Sequence, residues 1–287
     1  MPAAVIAQRL QDILLKRLEK GELVLPTLPR AATEIQAMLD APEIDMKRVA
    51  HALERDPALT AQVLKTANSA VFGSRQRIES LTKAVTFLGT RNLKTALISA
   101  AARKVFVSRH PKVNETLAMV WDHSVAVALV ARDVIGIAGS KDNETAYLAG
   151  LLHDVGKAVV AIYLLDFEST LSPREAQRWL EFNEWLQVVE DIHRPVGAAV
   201  VEHWKLPETV GQVIKDAAEY DAGDRVSPVN AVRFANALVK HEGIAPPGVD
   251  ITAVDAVMMI GRSLLGLDDE VVDGLARGLR DRVTTVS

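Results

Sequence analysis

The order of apolar and polar residues along the chain is that of helices almost throughout. Ala, Leu, Glu, Lys, Arg and Gln dominate, and the alternation typical of strands is rare. In the run after Asp56, for example, Leu59, Val63 and Ala67 fall on one face of a helix. The pattern therefore predicts an all-α fold made of many short helices.

Capping residues, prolines and glycines mark where these helices begin and end. Asp56-Pro57 is a strong start signal, because aspartate accepts hydrogen bonds from free amides and proline suits the first helical position. Gly73 is expected to end that helix. Ser80 is expected to cap a helix that Gly89 ends, and Thr90 to cap the next one. Further helices are predicted near 90–107, 116–135, 143–153, 156–168, 173–191, 194–204, 207–219, 228–241 and 251–265.

The composition narrows the class of protein. The 287 residues are 49% hydrophobic and include no cysteine. This excludes a disordered chain, disulfides, cysteine-ligated zinc and cysteine nucleophiles. The first twenty residues contain no apolar run of a secretion signal. The most apolar stretch, 146–167, is interrupted by His153, Asp154 and Lys157, so no membrane span is predicted. We therefore expect a soluble, cytoplasmic protein.

Charge is distributed unevenly along the chain. Residues 1–112 carry 18 basic and 10 acidic side chains, whereas residues 113–287 carry 15 and 27. We place a boundary here, between a basic N-terminal helical subdomain (1–112) and a second helical subdomain (113–287). Residues 57–112 contain ten basic side chains and one acidic side chain. Such asymmetry suits an anionic partner, but also attraction between the two halves or a homodimer.

The most informative motif lies at the end of the helix predicted at 143–153. There His153 and Asp154 stand side by side, followed by Gly156 and Lys157. Imidazole and carboxylate are ligands for divalent metals, and a lysine suits a phosphate oxygen. Gly156 lets the backbone turn away after the pair. The alternative is a buried histidine at a helix end, satisfied by the neighbouring aspartate.

Other histidines lie at distances along the chain that allow them to join this motif. His123 is 30 residues upstream in an apolar helix, and His193 is 39 residues after Asp154. His203 follows His193 by ten residues, which places the two on different faces of a helix. We therefore expect at most one of these two histidines in a site with His153, and His203 at the surface.

Together these residues resemble the HD superfamily of metal-dependent phosphohydrolases and, more closely, its HD-related output domain branch, the HDOD family. The likeness covers roughly residues 22–220. Its most specific element is the run RDPALTAQVLKTANSAVFG. The segments that carry the resemblance, besides the histidines, are LPTLP at 25–29, that run at 55–73, the stretch 78–91 ending in FLGTR, HRPVG at 193–197 and WKLP at 204–207.

The resemblance implies a multi-helix HDOD fold in which an N-terminal helical section packs on an HD-like helical core. A C-terminal helical extension would follow residue 220. Family members are regarded mostly as bacterial signalling modules and not as proven hydrolases, so signalling proteins are the expected partners. The resemblance also implies metal ligands His123, His153 and Asp154, and ligand-binding residues Lys157 and His193. In an active enzyme, Lys157 and Asp154 would be the catalytic residues.

Two departures from the family pattern bear on activity. A catalytic HD site needs a final aspartate on a late helix, and the matching position here holds Asn236. The family's histidine pair is also missing near 216–218. An amide removes a full charge from the ligand set, so the three remaining ligands make a weak site for Mg²⁺ or Mn²⁺. No cofactor is expected, although three ligands are enough for zinc.

Three functions remain open. The favoured hypothesis is a non-catalytic signal-transduction module with a degenerate metal site, acting through proteins or a small nucleotide ligand. The alternative is a metal-dependent phosphohydrolase acting on a nucleotide or phosphate ester. The third is DNA binding through the helix–Gly–helix of residues 80–97, which an aromatic content of 5% and a pI near 6.0 disfavour. We therefore expect neither a nucleic-acid nor a membrane partner.

Overall fold

The computed structural model describes residues 3–69, 77–171, 182–245 and 253–286. Within these ranges the chain is helical and contains no strand, which confirms the predicted fold class. The helices are α1 (Ala3–Glu19), α2 (Arg30–Leu39), α3 (Met46–Glu54), α4 (Pro57–Ala67), α5 (Leu81–Val105), α6 (Pro111–Ile137), α7 (Asn143–Leu152), α8 (Val155–Glu168), α9 (Phe182–His203), α10 (Glu208–Asp216), α11 (Pro228–His241), α12 (Val254–Leu265), α13 (Asp269–Ala276) and α14 (Leu279–Val286).

Buried apolar side chains form two clusters, and α5 belongs to both. The smaller cluster joins α2, α3, α4 and the first part of α5, as far as Leu97. The larger cluster begins on α5 at Ile98 and also contains α1, which packs against α9. Apolar packing therefore changes partner within α5, between two adjacent residues. The boundary at residue 112, which was based on charge, stays a prediction about domains.

Several predicted helix ends are confirmed. Asp56 caps α4, where its carboxylate accepts the amides of Ala58 and Leu59 at 3.0 and 3.1 Å. Gly89 interrupts α5 with a φ of 67° and a ψ of 177°, a left-handed φ that favours glycine. Ser80 stands at the N-cap of α5, but its side chain makes no capping hydrogen bond, so that part of the prediction is wrong. Gly73 lies outside the described residues.

The largest error in helix placement concerns α9. The sequence predicted separate helices at 173–191 and 194–204, but α9 runs unbroken through Pro195. Proline removes one backbone donor and usually kinks or ends a helix. Here the apolar stripe of α9 continues on both sides of the proline and packs against α8, so packing outweighs the lost hydrogen bond. Residues 173–181 of the first predicted helix lie outside the described residues.

The helices that hold the site form the centre of the larger cluster. α6 packs against α7 and α11, and α8 packs against α9. The stretch Asn143–Glu168, which contains α7 and α8, is long and apolar enough to cross a membrane by length and composition. However, 83% of its apolar window is buried inside the protein. Its hydrophobicity is therefore that of a core helix pair.

Candidate functional site

Four helices bring the predicted site residues together in the larger cluster. All five side chains are buried, with exposures of 1–8%. Helices α6 and α8 and the α7–α8 corner supply four of these side chains, and α9 supplies the fifth. The residues are His123 on α6, His153 and Asp154 at the α7–α8 corner, Lys157 on α8 and His193 on α9. Their placement agrees with the spacing argument, while their roles as ligands stay predictions. His203 is exposed, as expected.

Two glycines let the helices come close enough to form the site. A Cβ atom on Gly156 would lie 1.9 Å from the carbonyl oxygen of His193, so the α8 backbone rests directly on α9. A Cβ on Gly150 would lie 2.8 Å from the Cα of Ala128, so α7 also packs closely against the α6 backbone. Gly156 therefore does more than allow the turn after Asp154, because it positions His193.

Backbone carbonyls orient both histidines of the core. His153 donates Nδ1–H to the carbonyl of Gly150, and His123 donates Nδ1–H to the carbonyl of Ile244, each over 2.7 Å. In a neutral ring this leaves the lone pair on Nε2, which is the atom available to a metal. Nε2 of His153 is buried and has no hydrogen-bond partner among the described residues. The expectation that Asp154 satisfies His153 is therefore wrong.

The amide of Asn236 on α11 contacts the other histidine. Its side-chain oxygen is placed 3.1 Å from Nε2 of His123. Because Nε2 of the neutral ring is an acceptor, the amide NH₂ has to face it, and a half-turn of the isosteric amide achieves this. Asn236 thus occupies the lone pair of His123, while its correspondence to the family's aspartate stays a prediction.

Asp154 is the charged centre of the site. Its carboxylate lies 3.2 Å from Nζ of Lys157, 3.4 Å from Nε2 of His153 and 3.6 Å from Nε2 of His193. Burial alone would raise the pKa of Asp154, but its interactions with His153, Lys157 and His193 hold that pKa well below the ordinary value. Burial likewise opposes the charge of Lys157, yet Asp154 and Glu190 raise the pKa of its amine. Both groups are therefore ionised.

At neutral pH the histidines of the site carry no positive charge of their own. Burial lowers the pKa of His123 to about 4 and that of His153 to about 3, although the charge of Asp154 acts in the opposite direction. Burial also lowers the pKa of His193, which donates Nδ1–H to the carbonyl of Glu190 over 2.5 Å. All three rings are neutral at neutral pH, so the ammonium of Lys157 is what balances Asp154.

The donor set can be compared with that of a metal site. His123, His153 and Asp154 each offer one ligand atom, and these atoms lie within 4.8 Å of one another. By donor type and spacing they fit a divalent transition metal such as zinc. The lone pairs of His153 and Asp154 face each other with no proton between them and therefore repel each other. A cation bound between them would remove this repulsion. Such an ion would have to displace the amide of Asn236 from His123.

Sequence reasoning missed two groups of the site. Glu190 lies 2.7 Å from Nζ of Lys157, so this ammonium contacts a second carboxylate besides Asp154. Its position three residues before His193, on the same helix face, was a usable signal. The carbonyl of Ile244, which orients His123, follows a helix end and carries no side-chain signal at all. It is found only once α11 is packed against α6.

Comparison with known proteins relates the chain to one family. The HDOD domain matches residues 25–220. A protein from Treponema pallidum, described only as uncharacterized, is 27% identical over 245 residues, which make up 83% of this chain and 44% of that protein. The chain thus spans less than half the length of this relative.

Solved structures show the same fold. A candidate metal-dependent phosphohydrolase from Shewanella amazonensis has a TM-score of 0.81 at 24% identity, covering 98% of this chain and 99% of that one. An HDOD domain protein of unknown function from Geobacter sulfurreducens has a TM-score of 0.65 at 24% identity over 99% and 98%. A candidate signal transduction protein from Marinobacter aquaeolei has a TM-score of 0.62 at 23% identity over 98% and 64%. Likeness at these identities concerns the fold.

Proposed function

The chain belongs to the HDOD family, and from this premise we propose that it is a non-catalytic signal-transduction module. It would act through protein partners or a small nucleotide ligand. The observation that carries the proposal is the contact between Asn236 and His123, 3.1 Å apart. In this proposal the amide of Asn236 stands in for the carboxylate that a catalytic HD site needs, and it engages the lone pair that a metal would need.

The charges around Asp154 support the same proposal. An ammonium from the protein itself, that of Lys157, stands 3.2 Å from the buried carboxylate. With Lys157 and Asp154 paired, the buried charges are compensated without an ion. Asp154 is 2% exposed, which leaves a phosphate ester no surface on which to reach it. The network is that of a buried polar core which holds α7, α8 and α9 in register.

A second candidate function is a metal-dependent phosphohydrolase, and one observation favours it. Nε2 of His153 is a buried, unpartnered lone pair beside a carboxylate. His123, His153 and Asp154 would hold the ion, which when bound would supply an activated water. Lys157 would orient a phosphate oxygen next to the ion, because its ammonium lies 3.2 Å from Asp154, one of the residues that would hold the ion.

Metal content and phosphate release decide between the two functions. The protein is purified without chelator, analysed for transition metals, and then incubated with nucleotides and phosphate esters plus Mn²⁺, Mg²⁺, Zn²⁺ or Fe²⁺. We expect far less than one metal per chain and no phosphate release. Close to one metal per chain, lost in His153→Ala, with phosphate release lost in Asp154→Ala, would establish the hydrolase instead.

A gain-of-function variant directly tests the contact between Asn236 and His123, on which the proposal rests. Asn236→Asp is expected to bind Zn²⁺ at least about tenfold more tightly than the wild type, because it adds a charged ligand and frees His123. Isothermal titration calorimetry measures the change, and Asn236→Ala is the matched control that removes the amide without adding a carboxylate. Equal affinity in both variants would show that Asn236 does not occupy a ligand position.

Partners and assembly belong to the same proposal. Signalling proteins are the proposed partners, and a homodimer follows from attraction between the basic and acidic halves. Sedimentation at low and high salt tests the dimer, since such attraction weakens with ionic strength. A mass that stays monomeric at low salt would remove it.

A further inference from the structure

A cleft of about 460 Å³ lies between the two buried clusters. One wall comes from α2 and α5, and the other from α7 and the corner between α9 and α10. None of its lining residues belongs to the site around His153. Its apolar surface is formed by Ile98, Leu148, Leu206, Pro207 and Val210.

Positively charged side chains from three separate segments surround this cleft. Arg91 comes from α5, Lys141 from the loop between α6 and α7, and Lys205 from the corner after α9. All three are exposed, and none takes part in an ion pair or hydrogen bond of its side chain within the described residues. A fourth cation, Lys94, is already paired with Asp40. The unpaired positive charge of the cleft therefore comes from three separate segments of the chain.

Besides Asp40, which is paired with Lys94, two further acidic side chains line the cleft. Oε2 of Glu144 accepts the hydroxyl of Thr95 over 2.6 Å, which ties α5 to α7 across the floor. Asp142 is exposed and accepts the hydroxyl of Ser140 over 3.3 Å. Both carboxylates keep further acceptor positions. The cleft thus offers cations for an anionic group and acceptors for N–H groups, with an apolar surface beside them.

The backbone at Lys205 is unusual. Its φ of 55° is the one positive φ outside glycine among the described residues. The amide of Leu206 reaches back to the carbonyl of Val201 over 3.1 Å, which closes the end of α9. Glycine is the usual residue in this left-handed position, because any side chain there costs free energy. A lysine at such a place indicates a use for its charge beyond folding.

We propose that this cleft binds a nucleotide. Arg91, Lys141 and Lys205 would hold the phosphate, and the base would lie on the apolar surface with its N–H groups toward Asp142 and Glu144. The volume lies within the range of sites for small molecules. A ligand here would contact polar residues of α2 and α5 on one side and the larger cluster on the other, so it would link α2 to the larger cluster. The use of this binding as a signal rests on the proposed function, but the binding itself does not.

Calorimetric titration of the full chain with GMP and AMP tests the proposal, with guanosine and inorganic pyrophosphate as comparison probes. GMP or AMP is expected to bind more tightly than either comparison probe. Arg91→Ala, Lys141→Ala and Lys205→Gly are each expected to weaken nucleotide binding about tenfold.

The control variant is Lys83→Ala, because Lys83 is an exposed cation on α5 that lies outside the cleft. This variant should change nucleotide affinity less than about twofold. Lys205→Gly should also raise the melting temperature by about 2 °C, so its weaker binding cannot be due to unfolding.

Three results would overturn the proposal. No binding of either nucleotide at low salt excludes the site, and pyrophosphate binding as tight as GMP excludes a role for the base. An equal loss in Lys83→Ala would show diffuse attraction to the basic half of the chain. Metal analysis of the same preparation distinguishes a failure of the proposed function from a failure of nucleotide binding in the cleft. A metal-loaded, hydrolytic protein would overturn the proposed function and leave the titration of the cleft unaffected.

Discussion

One ammonium group, that of Lys157, touches two carboxylates at the centre of the protein. It lies 3.2 Å from Asp154 and 2.7 Å from Glu190. Asp154 is 2% exposed, so its charge has no solvent to replace that ammonium. A buried ion pair contributes little by itself, but removing one partner leaves an uncompensated charge, which is costly. The lysine that sequence motifs associate with phosphate is therefore part of the folded core.

Replacing Lys157 by methionine tests this role. Lys157→Met is expected to lower the free energy of unfolding by about 3 kcal/mol, because Asp154 then stays charged and buried without a partner. Urea denaturation measures the loss. The double variant Asp154→Asn/Lys157→Met should recover part of it, since the charge is removed together with its partner. A double variant less stable than the single one would contradict the pairing.

Gly156 sets the distance between α8 and α9, and therefore the place of His193. Gly156→Ala would put a methyl group 1.9 Å from a backbone carbonyl, and neither helix can give way cheaply. We expect a loss of at least about 3 kcal/mol in the free energy of unfolding. Gly274→Ala, in α13, meets nothing within 4 Å and should stabilise by up to about 1 kcal/mol. Similar urea midpoints for the two variants would refute the close approach.

At the scale of the helices, local signals and packing carry different weight. Asp56 predicts the start of α4 and makes the expected capping bonds. Gly89 predicts the break in α5 and adopts the expected left-handed φ. Pro195 predicts a helix end that does not occur, because the buried stripe of α9 spans it. Short-range hydrogen bonds were therefore predictable, whereas the competition between proline and packing was not.

The two N-cap residues of α4 and α5 make a matched pair. Asp56→Ala is expected to cost about 1 kcal/mol of folding free energy, because two amides of α4 lose their acceptor. Ser80→Ala should cost close to nothing, since its hydroxyl caps no amide. Chemical denaturation of both variants at one pH provides the comparison. A larger loss for Ser80→Ala would contradict the capping geometry.

At the scale of the whole molecule, the two buried clusters differ in size. The smaller one holds α2–α4 and the first part of α5, and the larger one holds most of the other helices. Since local stability follows buried apolar contacts, the smaller cluster should open first. The proposed nucleotide cleft lies between the two clusters, where such an opening would be sensed.

Native-state hydrogen exchange tests this order of opening. Amides of α2–α4 are expected to exchange at lower denaturant concentration than those of α6–α9. Leu59→Ala, which creates a cavity in the smaller cluster, should hasten exchange in α2–α4 and leave α6 unchanged. Uniform protection across the chain, or equal acceleration everywhere, would show that the two clusters unfold as one unit.

The helical class, most helix starts and breaks, and the group of residues that meet around His153 could be predicted from the sequence. These follow from periodicity, capping chemistry and motif spacing, which act over a few residues or are recognisable as a pattern. Three features emerge only in the folded chain: Lys157 contacts Glu190 as well as Asp154, Asn236 engages His123, and packing changes partner within α5. These contacts join residues far apart in the chain. They depend on how closely two helix backbones approach, which no local signal encodes.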